Sequence, residues 1–276
     1  MDPRTGVKTD PTLPIPQSMK AWVLGNPGEL KLAEKPVPTP KRAEVLVRID
    51  AVAICATDLE IIDHGSPALI QGSMPFNKNF TPGHEYMGTV VVLGHGVDEY
   101  RIGQRVTVEI HAGCGQCKRC RQGMYTSCLN YGLNYGDVDK GHRANGFTTD
   151  GGFCEYQVNN INTLVAIPDS MSDEEATLVV TAGTAMYGLT ELGGLVAGES
   201  VVVTGPGPIR GEGRSATHRA EALMSQKRFD ATKIHTHTFA LGDLPTAIRY
   251  AKERIDDAIK VVVKAKGVAA HRVAAE

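Results

Sequence analysis

Four of the six cysteines fall in one run, His111-Ala-Gly-Cys114-Gly-Gln-Cys117-Lys-Arg-Cys120-Arg-Gln-Gly-Met-Tyr-Thr-Ser-Cys128, spaced C-x2-C-x2-C-x7-C. Cys-x-x-Cys pairs let a tight turn present two thiolates to one ion, and four sulfurs complete a tetrahedron with no place for a substrate. The run therefore predicts a structural zinc site held by Cys114, Cys117, Cys120 and Cys128. A ferredoxin-type cluster would end in C-x3-C-P, and a disulfide framework belongs to a secretory context that the sequence does not suggest. Both fit less well than zinc.

The elements that must carry this lobe are legible around it. The chain has 276 residues, 42% of them apolar and 22% charged, enough to bury a full core. Its 29 basic and 31 acidic side chains give a net charge of −2, so no electrostatic footprint points to nucleic acid or to an anionic membrane. The leader MDPRTGVKTDPTLPIPQ lacks a basic and apolar signal pattern, and no run of eighteen apolar residues occurs. These features predict a cytoplasmic protein with a small-molecule substrate and neither a nucleic-acid nor a membrane partner.

From Met19 the chain turns to short β-rich segments: 20–24, 30–32, 44–54, 86–93 and 104–110, with glycine and proline at hairpin-like intervals. Ser170-Met-Ser-Asp-Glu-Glu175 then places acidic residues in the first turn of a helix that the spacing carries over 174–193. Next comes Glu199-Ser-Val-Val-Val-Thr-Gly205-Pro-Gly207, an apolar strand running into a glycine turn, as a dinucleotide-binding βαβ unit begins.

Cys55-Ala-Thr57-Asp58, Pro82-Gly83-His84-Glu85-Tyr-Met-Gly88, the four-cysteine lobe, Asp150-Gly-Gly-Phe-Cys-Glu-Tyr156 and Val201-Val-Val-Thr-Gly-Pro-Gly207 occur in that order. In these five spaced motifs, over about residues 20–209, the chain resembles the zinc-containing medium-chain alcohol dehydrogenases. The resemblance implies a mainly β, GroES-like partly open barrel as catalytic domain, a lobe zinc, a catalytic zinc, and a Rossmann domain for NAD or NADP. That last domain is not expected to be complete. From Val201 onward 76 residues remain, whereas a six-stranded Rossmann sheet with its helices takes roughly 130. Arg210 stands where the third glycine of G-x-G-x-x-G would be. The expected organisation is a polar leader (1–18), a GroES-like catalytic domain (19–193, zinc lobe 111–130), a Rossmann remnant (194–232) with Gly205 and Gly207 as vestigial cofactor glycines, and a C-terminal return to the catalytic domain (233–276).

In the family a catalytic zinc is held by a cysteine, a histidine and a third ligand. Cys55 and His84 match the first two. Thr181 falls where relatives carry Cys, Asp or Glu, and a neutral hydroxyl is a poor zinc ligand. Glu85, next to His84, is the best substitute, with Glu155 and Cys154 behind it. Thr57 matches the hydroxyl that passes a proton from the substrate alcohol; Glu60 and His64 stand near the position of a histidine relay. Asp58 reads as a turn or capping residue.

Three readings follow. The first is alcohol or polyol oxidation with hydride transfer to NAD(P), for which this chain alone is expected to lack the nucleotide platform. The second is a nicotinamide-independent zinc hydrolase, lyase or hydratase with Glu85 or Glu60 as base. The third is an inactive truncated scaffold. An incomplete cofactor domain also predicts an apolar surface around Ala176–Leu195, and with it self-association.

Overall fold

A computed structural model describes residues 6–65, 79–131, 143–196, 198–200, 217–228, 230–265 and 271–272. Gly205, Gly207 and Arg210, and with them the expected Rossmann strand, lie outside these residues.

The central pair is β4 (Glu44–Ala53) and β5 (Glu85–Leu93), preceded by β1 (Lys8–Thr9), β2 (Ser18–Leu24) and β3 (Leu30–Pro36). The chain continues through β6 (Arg105–Val108), β7 (Tyr156–Asn160), β8 (Leu164–Ala166), β9 (His235–Ala240), β10 (Lys260–Lys264) and β11 (His271–Arg272). The main sheet runs β11-β9-β10-β4-β5-β6-β8, with β1 on β5 and β7 on β4; β2 and β3 form a separate hairpin. The helices are α1 (Ala56–His64), α2 (Lys118–Arg121), α3 (Asp173–Thr177), α4 (Val179–Met186), α5 (Thr217–Ser225) and α6 (Leu244–Glu253).

Strands β4 and β5 read as nearly unbroken apolar runs because both of their faces are covered. Val45, Val47, Ile49, Val52, Tyr86 and Val90 look into the principal core with Trp22, Ile61 and Phe153. On the other face the small side chains of Ala51 and Ala53, with Met87, meet Met171 ahead of α3, Ala176 of α3, Leu178 between the two helices, Val179 of α4 and Met224 of α5. Alanine at these positions lets the helices approach the sheet closely. At Gly183 on α4 an added Cβ would come within 2.8 Å of the Thr217 backbone, so α4 and α5 cross where glycine leaves no side chain.

The C-terminal elements join this sheet directly. β9 and β10 are parallel, linked through α6, and β10 lies antiparallel to β4 with Val262 opposite Ala53. Pro at the start of α6 suits the first turn, where its missing N–H is no loss.

Two expectations change. The helix over 174–193 is broken: α3 ends at Thr177, α4 begins after Leu178, and Tyr187–Leu192 winds as a wider π-helical turn. Thr177, Thr184 and Thr190 each turn a hydroxyl back onto a carbonyl three or four residues earlier, which loosens the regular ladder. The leader is more than a polar tail. Lys8 and Thr9 pair with Leu93 and Val92 of β5, and Val7, Leu13 and Ile15 pack over Leu46, Val91 and Val92. Composition hid three spaced apolar residues among prolines and charges. Among the described residues no helix is long and apolar enough to cross a membrane.

Candidate metal centres

Strand directions place the first site. Because β4 is antiparallel to both β5 and β10, its C-terminal end adjoins their N-terminal ends. Cys55 follows β4, Glu85 opens β5 opposite Ala53, and Lys260 opens β10. His84 precedes Glu85, after Gly83 in the left-handed region at φ +97, where an added Cβ would strike Phe153 at 2.9 Å.

The ligand atoms of Cys55, His84 and Glu85 all lie within 4.8 Å of one another. Tetrahedral ligands about 2.0–2.3 Å from a zinc ion stand roughly 3.5 Å apart, so modest closure would complete three sides of a site. A thiolate, an imidazole and a carboxylate are the donor types zinc accepts. His84 Nδ1 is 2.8 Å from Asp58 Oδ1, which leaves Nε2 as the nitrogen for a metal. The Phe147 ring flanks the imidazole at 4.6 Å between centroids.

Asp58 serves as the cap the sequence suggested and as more. It occupies the third position of α1, where Oδ2 accepts the Cys55 amide at 2.9 Å while Oδ1 holds His84, and it is fully buried. One carboxylate thus fixes the backbone of one candidate ligand and the ring of another, the outer-shell arrangement that orients a metal-binding histidine. The signal in the sequence was the spacing Cys-x-x-Asp at a helix start, but its second partner lies 26 residues away.

Glu85 is held at both oxygens. Thr181 Oγ1 of α4 donates to Oε1 at 2.7 Å. Lys260 Nζ rests against Oε2 as a buried ion pair, without the alignment of a hydrogen bond. Counting only the chain's own groups, burial opposes the charge on Glu85, but Lys260 and His84 outweigh it and hold the carboxyl below its usual range. Burial likewise opposes the His84 cation, and Asp58 overcomes it, raising the imidazole well above its ordinary value. Lys260 was not among the sequence candidates; a lysine heading a valine strand reads as a solvated end until the strand's neighbours are known.

Thr57 Oγ1, half-buried, lies 3.8 Å from Cys55 Sγ at the mouth of the cluster. Glu60 and His64 are not brought there: they form an i,i+4 pair with side chains 72% and 74% exposed. Asp58, Ile61 and Ile62 take the inward face of α1, so positions 60 and 64 face outward. The two reserve ligands are also elsewhere. Cys154 is buried, with the Gly151 and Tyr156 carbonyls both within reach of its single S–H, and Glu155 Oε2 accepts the Lys20 amide.

The second site is the cysteine run. The sulfurs of Cys114, Cys117, Cys120 and Cys128 lie within 4.8 Å of one another, and all six cysteines are free thiols. Backbone amides point at the sulfurs: Gln116 and Cys117 donate to Cys114 Sγ at 3.4 Å, Cys120 to Cys117 Sγ at 3.4 Å, and Cys114 and Tyr131 to Cys128 Sγ at 3.3 Å. Such donors favour thiolates. Four sulfurs with this support fit a structural zinc and leave no open position.

Known proteins resemble the chain in sequence and in fold. Residues 41–169 match the family described as "Alcohol dehydrogenase GroES-like domain". The chain is similar to the sorbitol dehydrogenase of Bacillus subtilis (strain 168), 33% identical over 195 residues, 71% of this chain and 51% of that protein. It is similar also to the L-threonine 3-dehydrogenase of Stenotrophomonas maltophilia (strain K279a), 39% identical over 181 residues, 64% of this chain and 47% of that one. It spans about half the length of these curated relatives. In fold it is similar to a cobalt- and zinc-bound thermostable alcohol dehydrogenase from Pyrobaculum aerophilum, with a TM-score of 0.66 and 18% identity over 90% of this chain and 99% of that one. Residues 41–169 are thus an alcohol dehydrogenase GroES-like domain, similar to that of the zinc-containing medium-chain alcohol dehydrogenases.

Proposed function

We propose that the chain carries the alcohol-binding half of a zinc-dependent dehydrogenase, with Cys55, His84 and Glu85 holding the reactive ion and Cys114, Cys117, Cys120 and Cys128 a structural one. The observation that carries this reading is the convergence of a thiol, an imidazole and a carboxylate at the facing ends of the adjacent strands β4 and β5, with Asp58 fixing the imidazole. Zinc at such a place is a Lewis acid for a hydroxyl or carbonyl oxygen.

The chain's own residues supply the rest. Asp58 keeps the His84 ring oriented and its Nδ1 engaged. Thr57, half-buried beside Cys55, is placed to pass a substrate hydroxyl proton outward. The similarity to sorbitol and threonine dehydrogenases supports a secondary alcohol of a polyol or hydroxy amino acid as substrate class. Hydride transfer would go to NAD(P). Among the described residues β9–β10 is the only parallel strand pair, so on our reading the nucleotide platform comes with another chain or segment. The hydrolase alternative loses Glu60 as its base, since that side chain faces solvent.

The test is zinc per chain by native mass spectrometry, paired with NAD(P)+-dependent oxidation of sorbitol and threonine. Two ions, falling to one in Cys55→Ser, are expected. One ion in both proteins would remove the reactive site. Two ions with turnover of either substrate that needs no nicotinamide would replace the dehydrogenase reading with that of a zinc lyase.

A further inference from the structure

The buried lysine at the head of β10 stands in the wrong place for a purely structural residue. Lys260 lies against the one carboxylate that completes the ligand set, and it is 12% exposed where its partner is 6% exposed. Thr181 takes the other oxygen of the same carboxylate. Of the three candidate ligands, then, Cys55 and His84 are committed to the site by α1 and Asp58, whereas Glu85 already has two partners of its own.

An ion reaching Glu85 must share or displace Lys260, and it must enter the field of a buried cation. Both effects work in one direction. Like charges a few ångströms apart in a partly desolvated site repel far more strongly than they do in water, and that repulsion weakens the hold on an ion. Lys260 also does what an ion would do for Glu85, since it neutralises a carboxylate that would otherwise be buried alone.

We infer that Lys260 is a positioning residue that competes with the metal for Glu85, so that the reactive ion is held by two committed ligands and one shared carboxylate and exchanges more readily than the ligand count implies. This inference rests on the proposed ligand set. It assigns Lys260 no contact with substrate and no part in proton transfer. It does explain why a cation is retained next to a cation site: it keeps the protein folded around Glu85 when no ion is there and weakens the ion's hold when one is.

The experiment is a cobalt(II) titration of the full chain already carrying one zinc in its cysteine lobe, followed at the thiolate-to-cobalt charge-transfer absorption with Cys55→Ser as the blank. Lys260→Met is expected to bind cobalt at least tenfold more tightly than the unsubstituted protein, and Lys260→Gln to move the same way. Lys260→Arg, whose forked guanidinium grips a carboxylate with two hydrogen bonds, is expected to bind at least threefold more weakly. A merely structural lysine predicts the opposite for the neutral variants, which would loosen the site. Unchanged or weaker binding in them overturns the inference, and if neither folds, unchanged or tighter binding in Lys260→Arg does so. No Cys55-dependent absorption in the unsubstituted protein would instead mean that the ligand set itself is wrong.

Discussion

The two cysteine-bearing centres are built in opposite ways. The lobe takes all four sulfurs from fifteen consecutive residues, 114–128, and supports them with amides of the same loop. The other centre draws Cys55, His84, Glu85, Thr181 and Lys260 from four elements across the chain and supports them with buried side chains. The lobe satisfies itself and leaves nothing open. The second centre comes together only when β4, β5 and β10 lie side by side and α4 covers them, and its carboxylate already has Thr181 and Lys260 as partners. A structural site can be local because it needs only to be closed; a reactive one must keep an open side within a rigid frame.

The largest expected effect breaks the lobe. Cys120→Ser should abolish its zinc, because structural zinc contributes on the order of 10 kcal/mol to the folding of the segment that binds it. Limited proteolysis should then cut within 113–131, while the core of β4, β5 and β10 stays resistant, since that core is packed by Val47, Ile49, Val90 and Val263 without help from the lobe. Cooperative unfolding of the whole chain on loss of the lobe zinc would show that the lobe is not self-contained.

Next is the support behind the second centre. Asp58→Asn keeps the shape but removes the charge that orients His84, and loss of such an outer partner costs about 10–100-fold in metal affinity. The expected result is a weakened Cys55-dependent ion with the lobe zinc unchanged, read by competition with a chelator. Equal weakening of both ions would erase the distinction between the centres.

The same contrast explains what could be read from the sequence. The cysteine spacing needs no tertiary fold to be informative, so the lobe and the β-rich half were legible from pattern alone, whereas the C-terminal return over 233–276 entered through the family resemblance. Cys55, His84 and Glu85 entered through the family resemblance, and their convergence depends on register. Asp58 read as a cap because its bond to Cys55 is local, whereas its bond to His84 crosses from a helix to a strand. Glu60 and His64 were misplaced because nearness in sequence does not fix the side of a helix. Lys260 carried no signal and Thr181 entered only as a poor ligand suggested by the resemblance, because the pairing of β10 on β4 and the packing of α4 are what bring them to Glu85. The strap over β5 was missed because Val7, Leu13 and Ile15 are spread through a polar, proline-rich stretch.

A smaller effect concerns the end of the broken helix. Ala176 to Val180 are buried, but Leu189, Leu192 and Val196 are exposed, the last two at 63% and 62%. The expected self-association should therefore depend on this far end. Leu192→Glu should shift sedimentation toward monomer by roughly a tenfold weaker association, the order that loss of one buried leucine implies. A protein already monomeric at high concentration would refute the expectation.

The smallest effect asks whether the two centres communicate. Glu109, buried at the end of β6, accepts from Thr217 of α5 at 3.0 Å on one oxygen and from the Tyr125 hydroxyl of the lobe on the other. Thr217 packs in turn on Gly183, two residues along α4 from the Thr181 that holds Glu85. Thr217→Val keeps the volume and deletes one hydrogen bond to a carboxylate, a loss of about 1.5–3 kcal/mol. If the lobe is satisfied by its own amides, as its geometry indicates, hydrogen exchange should quicken in α5 while zinc release from the lobe stays within twofold. A faster release would mean that Glu109 ties the lobe to α5, and through Gly183 and Thr181 to the carboxylate at the reactive centre. The local site would then depend on the distributed one.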